Sequence, residues 1–186
     1  MRWLPALLIG FVLASCAAAL TAGEYGDAVQ DLGRDYEQET TELQRTLHEE
    51  LQGEIEALGR GLDEEDPEAV AGYAEQVVAL TATRTRAFFA AVGDSLHRYR
   101  TLLAELAPPS VVAGEHRELL AAMDGVLAGL PDLLSGLEAA GDFDAIDDAV
   151  YGSGFTDAGP RLAAACRSLA EALGDEAIAV DLRCPS

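Results

Sequence analysis

The sequence contains no lysine and no asparagine, and apart from three histidines its only basic residues are 12 arginines. It has 33 aspartates and glutamates, which gives a formal net charge of -21. Because nucleic-acid binding needs a basic face that contacts phosphates, this scarcity of positive charge argues against a nucleic-acid partner. For the same reason it argues against attachment to an anionic membrane through charge.

Motifs that carry familiar chemistry are also lacking. The sequence has neither a phosphate-binding P-loop nor a glycine-rich dinucleotide fingerprint. Ser153 stands between two glycines, but the G-x-S-x-G frame of a nucleophile elbow does not surround it, so we interpret it as a turn residue. We therefore predict no catalytic residue, no cofactor and no metal, and expect that the chain is not an enzyme.

The apolar run at the N-terminus is too short to cross a membrane. It follows Arg2 and covers the eleven residues Trp3–Leu13, whereas a spanning helix needs about 20. A short positive start followed by a run of this length is typical of a secretory signal peptide. The run ends in Leu13-Ala14-Ser15-Cys16, which resembles the lipobox of bacterial lipoproteins.

The resemblance implies that residues 1–15 are a signal peptide and that Cys16 becomes the acylated first residue of the mature protein. Residues 16–23 would then form a short acylated tether that holds the folded part close to the lipid. These features predict a protein anchored by lipid to the extracytoplasmic face of the cell membrane. The alternative is an ordinary signal peptide that is cleaved near Ala17–Ala19.

From residue 24 onward, apolar residues recur every three or four positions, which predicts amphipathic helices. The first is expected over residues 24–62, with one buried stripe. The second starts at an Asp66 cap followed by Pro67 and runs to about Leu106. A third follows a Ser110 cap and runs to about residue 137, and the last covers about 156–173.

The fold predicted for residues 24–186 is an all-α, antiparallel up-and-down four-helix bundle, because short turns join the helices. Pro131 is expected to kink or divide the third helix. The glycine- and aspartate-rich segment 141–156 is interpreted as broken, with about one helical turn. No long segment of alternating polarity predicts a sheet.

Two cysteines remain outside the signal region, Cys166 and Cys184. Cys166 lies about 12 Å before the end of the last helix, and ten residues can return over that distance. Because an exported chain enters an oxidising space, we predict a disulfide that ties the C-terminal tail to the helix. Free thiols or a metal-binding pair are the alternatives.

The histidines provide one candidate site for ligand binding. In an antiparallel bundle, His97 and His116 fall within about 5 Å along the axis, while His48 lies about 25 Å away. These distances argue against a three-histidine zinc site and leave the pair His97 and His116 as a candidate. The alternative for His116, which lies beside the apolar stripe, is a hydrogen-bonded core histidine.

Four aspartates invite a calcium interpretation of segment 142–153, but the segment departs from the EF-hand pattern. Ile146 occupies a ligand position and Ser153 replaces the final glutamate. A solvated, helix-capping loop is the preferred interpretation. The four residues are Asp142, Asp144, Asp147 and Asp148.

The segment around Pro108-Pro109, with His116-x-x-Leu119 after it, resembles a pattern in uncharacterised helical lipoproteins of GC-rich actinobacteria. That resemblance covers about residues 101–130 and implies no activity.

The sequence as a whole is compatible with two functions. The first is an interaction or structural module, with a protein partner at the cell surface. The second is an accessory lipoprotein that binds a small ligand or a metal.

Overall fold

The computed structural model describes residues 19–182 and 184, and every regular element within them is a helix. Four helices are long and two are short. This confirms the all-α prediction and its four long helices. The elements are α1 (Ala22–Gly59), α2 (Pro67–Glu105), α3 (Ala113–Ala139), α4 (Phe143–Tyr151), α5 (Gly154–Asp157) and α6 (Gly159–Asp175).

α1 begins two residues before its predicted start because Thr21 and Glu24 form a capping box. The Thr21 backbone N–H donates to the Glu24 carboxylate at 2.9 Å, and the Glu24 N–H donates to the Thr21 hydroxyl at 3.3 Å. Just before the cap, the Leu20 N–H donates to the Ala107 carbonyl at 3.1 Å. Leu20, which lies inside the segment predicted to be a tether, is therefore part of the fold.

The turn between α1 and α2 forms as its residues predict. The Asp66 carboxylate accepts a hydrogen bond from the Glu68 N–H at 2.9 Å, and Pro67 is the first helical residue. Gly61 adopts a φ of 81°, a left-handed conformation that glycine reaches without steric cost. The cap, the proline and the glycine together fix where one helix ends and the next begins.

The start of α3 differs from the prediction. Its cap is Val112, whose side chain cannot accept a hydrogen bond, so the expected Ser110 cap is wrong. The chain turns instead through the backbone, where the Val112 N–H donates to the Pro109 carbonyl at 3.1 Å. Pro131 lies inside α3, and the helix continues past it to Ala139, so the proline does not divide the helix.

The segment expected to be broken is more helical than predicted. It forms the nine residues of α4 and the four of α5. The Asp142 carboxylate caps α4 by accepting from the Ala145 N–H at 2.7 Å, which is the capping role preferred for this loop. The short element α5 then turns the chain into α6.

α6 extends two residues past its predicted end near residue 173 and ends at Asp175. The Ile178 N–H donates to the Leu173 carbonyl and the Ala177 N–H donates to the Gly174 carbonyl. This is the hydrogen-bond pattern of a Schellman motif. Ala177 occupies its left-handed position with a φ of 60°. The motif directs the C-terminal tail, residues 176–182 and Cys184, back along the molecule.

The core lies where α3 meets the other elements. The main cluster joins α1, α2, α3, α6 and the tail, and a smaller one joins α2, α3 and α4. Among the described helices, α3 alone is long and apolar enough to cross a bilayer by length and composition. It packs against α2, α4, α5 and α6. The fully buried residues of the main cluster include Tyr25, Leu96, Leu103, Leu119, Met123, Leu169 and Leu173.

The predicted stripe of α1 is buried only near the start of the helix. Tyr25 and Val29 are fully buried, but from Leu43 onward every apolar residue is half-buried or exposed. α1 has 38 residues and α6 has 17, so α1 is longer than α6 by about 30 Å. The last turns of α1 therefore extend beyond the part of the molecule that α6 can cover. We call the resulting surface the distal stripe, and its members are Leu43, Leu47, Leu51, Ile55 and Leu58.

Candidate functional site

The two candidate ligand histidines lie in different environments. The His116 ring is 5 % exposed, and its Nδ1 lies 2.8 Å from the Tyr25 hydroxyl. Burial lowers the pKa of the His116 imidazole, and the neighbouring Arg117 lowers it further. His97 is exposed on α2. His116 is thus the hydrogen-bonded core histidine of the alternative interpretation.

No metal cluster is formed by the described part of the chain. Within residues 19–182 and 184, no group of three or more histidine, cysteine, aspartate or glutamate side chains is arranged to hold an ion.

The contact between Tyr25 and His116 could not be predicted from the sequence. Both residues lie on apolar stripes, but a stripe does not specify its partner across the core.

The disulfide prediction is confirmed. Cys166 of α6 and Cys184 of the tail are bonded, with a Cα–Cα distance of 5.5 Å. The tail reaches this point by packing Ile178 and Val180 over Gly26 of α1. The disulfide therefore holds together the last helix, the tail and the first part of α1.

Beside the disulfide lies a cleft that sequence reasoning missed. Its volume is about 650 Å³, within the range of small-molecule sites. Glu37, Thr40 and Gln44 of α1 line one side. The deeper wall is apolar and comprises Leu96, Leu119, Met123, Leu162 and Leu182.

Two stacked tyrosines form one wall of the cleft. The rings of Tyr36 and Tyr99 lie 5.3 Å apart and nearly parallel. Burial, with a smaller effect from Tyr36, raises the pKa of Tyr99 to about 12. Burial also raises the pKa of Tyr36, with a smaller effect from Glu39. Both hydroxyls are thus neutral hydrogen-bonding groups at physiological pH, and the wall offers an aromatic surface without charge.

An ion pair next to the cleft joins α1 to α2. The hydroxyl of Ser95, which is 1 % exposed, donates to the Glu39 carboxylate at 2.7 Å, and Arg98 pairs with the same carboxylate. The Ser95 hydrogen bond, followed by Arg98, holds the pKa of Glu39 below its usual range. These contacts fix the register of the two helices where the cleft opens.

Two arginines that could have lined an anion site are paired with acids. Arg84 of α2 binds Glu50 at 3.0 Å and also pairs with Glu54, and both acids belong to α1. Arg86, two residues later, pairs instead with Glu138 of α3 at 3.4 Å. Beside Arg84 is a shallow depression of about 140 Å³ lined by the start of the distal stripe and by Phe88.

The lipobox and its Cys16 lie outside the described residues. Comparison of the chain with protein-family models, curated proteins and solved structures finds no match. The candidate sites therefore rest on their own geometry: the cleft beside the disulfide and the distal stripe of α1.

Proposed function

We propose that this protein is an extracytoplasmic lipoprotein, cleaved before Cys16 and attached to the membrane through acyl chains on that cysteine. The Cys166–Cys184 disulfide supports export, because such bonds persist in oxidising compartments. The sequence around Cys16 supports acylation through its resemblance to a lipobox. Leu20, four residues after Cys16, is bonded to Ala107, so an acylated Cys16 would lie within a short stretch of chain of the fold.

The experiment is metabolic labelling with a clickable fatty acid. The full-length chain should incorporate the label, and Cys16→Ala should lose it. Ser15→Ala is the matched control, since alanine keeps the small residue that the lipobox pattern requires, and it should be labelled like the original chain. Equal labelling of Cys16→Ala would contradict the proposal.

The proposed arrangement of the mature part is an antiparallel up-and-down bundle of the four long helices, bent at Pro131. Contacts between α1 and α2 support the antiparallel order, because residues late in α1 meet residues early in α2. Gly59 lies against the Tyr73 ring, Glu54 pairs with Arg84, and Glu39 pairs with Arg98.

The bundle is proposed to act as an interaction module for a protein partner at the cell surface. The distal stripe carries this proposal, because α1 packs mainly against α2 and none of the stripe residues is fully buried. Leu58 is 36 % exposed, and the stripe residues before it are half-buried. A stripe of leucine and isoleucine at helical spacing suits a partner helix that lays its own apolar face alongside it.

This part is tested with a photo-crosslinking amino acid incorporated in living cells. Incorporation at Leu47 should give a discrete adduct with one protein. Incorporation at Thr41, which is exposed on α1 outside the stripe, is the matched control and should give none. The lack of any adduct along the stripe would contradict the module.

The cleft beside the disulfide favours a second candidate, the binding of a small and largely apolar ligand. Its apolar deep wall, tyrosine stack and volume suit an uncharged or weakly polar molecule. A thermal-shift screen should find a compound that raises the melting temperature. Gln44→Trp should abolish that shift by filling the mouth of the cleft. Gln38→Trp, an exposed change outside the cleft, should retain it.

A further inference from the structure

We infer that one end of the molecule is a bilayer-contact surface. We call this end the base and define it by Leu20, Thr21, Ala107 and the segment Pro108–Val111. The inference rests on the proposed lipid anchor and adds to it which surface meets the membrane. The contact with the lipid headgroup region is made by Val111, and the α1–α2 turn at the other end points away from the membrane.

The chain between Cys16 and the fold is too short to hold the base far from the lipid. The Leu20 N–H is bonded to the Ala107 carbonyl at 3.1 Å, and Thr21 caps α1, so the position of Leu20 in the fold is fixed. Four residue steps separate Cys16 from Leu20 and span at most about 14 Å. α1 is 38 residues long, which places the α1–α2 turn about 57 Å further along the helix. An acylated Cys16 therefore holds the base at the bilayer surface.

The base presents exposed apolar side chains and a loop with few backbone donors. Val111 is 52 % exposed, although the next residue, Val112, is buried. Leu102, near the end of α2, is 47 % exposed. Pro108 and Pro109 follow and have no backbone N–H, so this loop presents fewer donors that must stay in water. Branched apolar side chains beside a lipid-attached cysteine are suited to the boundary between headgroups and acyl chains.

The net negative charge of the protein favours an upright orientation on the membrane. The chain after residue 15 has 11 arginines and 33 acids, so anionic lipid repels the protein. The α1–α2 turn adds an exposed acidic run, Asp63-Glu64-Glu65-Asp66, at the end opposite the base. An upright orientation keeps that run several Debye lengths from the lipid, whereas a flat one would bring it and the acids of α1 close. The contact therefore depends on the anchor and on apolar side chains, and raising the salt concentration should not weaken it.

The experiment uses the full lipidated protein reconstituted in vesicles of phosphatidylcholine with phosphatidylglycerol. Fluorophores are placed one at a time through Val111→Cys at the base, Glu64→Cys in the turn and Tyr151→Cys on α4. All three positions are exposed, and the native disulfide stays oxidised. Quenching is measured with nitroxide lipids labelled at a shallow depth and with aqueous iodide.

We expect the label at residue 111 to be quenched at least twofold more by the nitroxide lipid than the labels at residues 64 and 151. The same label should be shielded from iodide in vesicles and accessible in the unlipidated Cys16→Ala chain. Equal nitroxide quenching at all three positions, or none at residue 111, would overturn the inference while leaving the anchor in place. Mass spectrometry that finds no lipid on Cys16 of the membrane fraction would overturn both.

Discussion

The hydroxyl of Tyr25 lies 2.8 Å from Nδ1 of His116, and this contact joins the first turns of α1 and α3 inside the main core. The two rings meet edge to face, with centroids 5.8 Å apart. Both residues are buried, so neither group can exchange its partner for water without opening the core. A neutral imidazole satisfies this contact, whereas a protonated one places an unpaired charge in an apolar site.

Stability should therefore fall as the pH drops below about 6.5, the ordinary pKa of histidine. Burial, with a smaller effect from Arg117, lowers the pKa of His116 in the folded state. Between that lowered pKa and 6.5 the unfolded chain binds more protons, so the free energy of unfolding decreases with decreasing pH. Below the lowered pKa the loss from this group is complete. Urea unfolding at pH 7.5, 6.5 and 5.5 measures it.

His116→Gln is the matched variant, because glutamine can hydrogen-bond to Tyr25 without titrating. Its stability should be lower at pH 7.5 but nearly constant down to pH 5.5. His97→Gln, a change at an exposed position, should keep the pH dependence of the original chain. A pH profile of His116→Gln that parallels the original chain would show that another group causes the loss.

The crossing of α3 and α5 requires glycine at position 129. A Cβ there would lie 2.1 Å from the Phe155 backbone nitrogen and 2.3 Å from the Gly154 carbonyl carbon. Backbone cannot yield as a flexible side chain does, so Gly129→Ala should lower the free energy of unfolding by at least about 2 kcal/mol. Gly125→Ala, one turn earlier, meets no atom within 4 Å. It should raise stability by about 0.5–1 kcal/mol through helix propensity. Chemical denaturation of both variants compares the two effects.

The Schellman motif after α6 contains a residue that glycine should improve. Ala177 has a φ of 60°, a conformation that costs an L-residue about 1–2 kcal/mol. Ala177→Gly should raise the free energy of unfolding by about 0.5–1 kcal/mol after the added entropy of the unfolded chain is counted. Ala179→Gly, also exposed and in the tail, lies where the backbone has no positive φ, and should be neutral or destabilising. Thermal unfolding of the two variants measures the difference, and a gain in stability for both of them would contradict the prediction.

The disulfide should stabilise the whole core and not the tail alone. Its sequence separation is 18, for which the chain-entropy estimate is about 3 kcal/mol. We expect Cys166→Ala/Cys184→Ala to lose about that amount and to give the same value when monitored by tyrosine fluorescence and by far-UV circular dichroism. Mild reductant should destabilise the original chain equally and leave the double variant unchanged. A loss confined to exchange of the tail amides would show that the tail folds independently of the core.

The prediction of the elements succeeded where the signal was local. Asp66 and Pro67 specify the start of α2 through contacts within one turn, and the structure has them in those roles. Cys166 and Cys184 lie within reach of each other because the tail is short. The Ser110 prediction failed for an equally local reason, since a backbone hydrogen bond from Val112 to Pro109 closes the turn before α3 without the serine side chain.

What the chain determines by itself is therefore its helices, its acidic surface and the possibility of one disulfide, because these follow from neighbours three or four residues apart and from composition. The tertiary structure decides which part of the α1 stripe is buried, since that depends on how far the shorter helices extend. It also decides that Arg86 pairs with α3, that His116 meets Tyr25, and that Tyr36 and Tyr99 form the wall of a cleft. Those contacts join residues far apart in the chain, and a periodic pattern fixes which face is apolar but not what that face will touch.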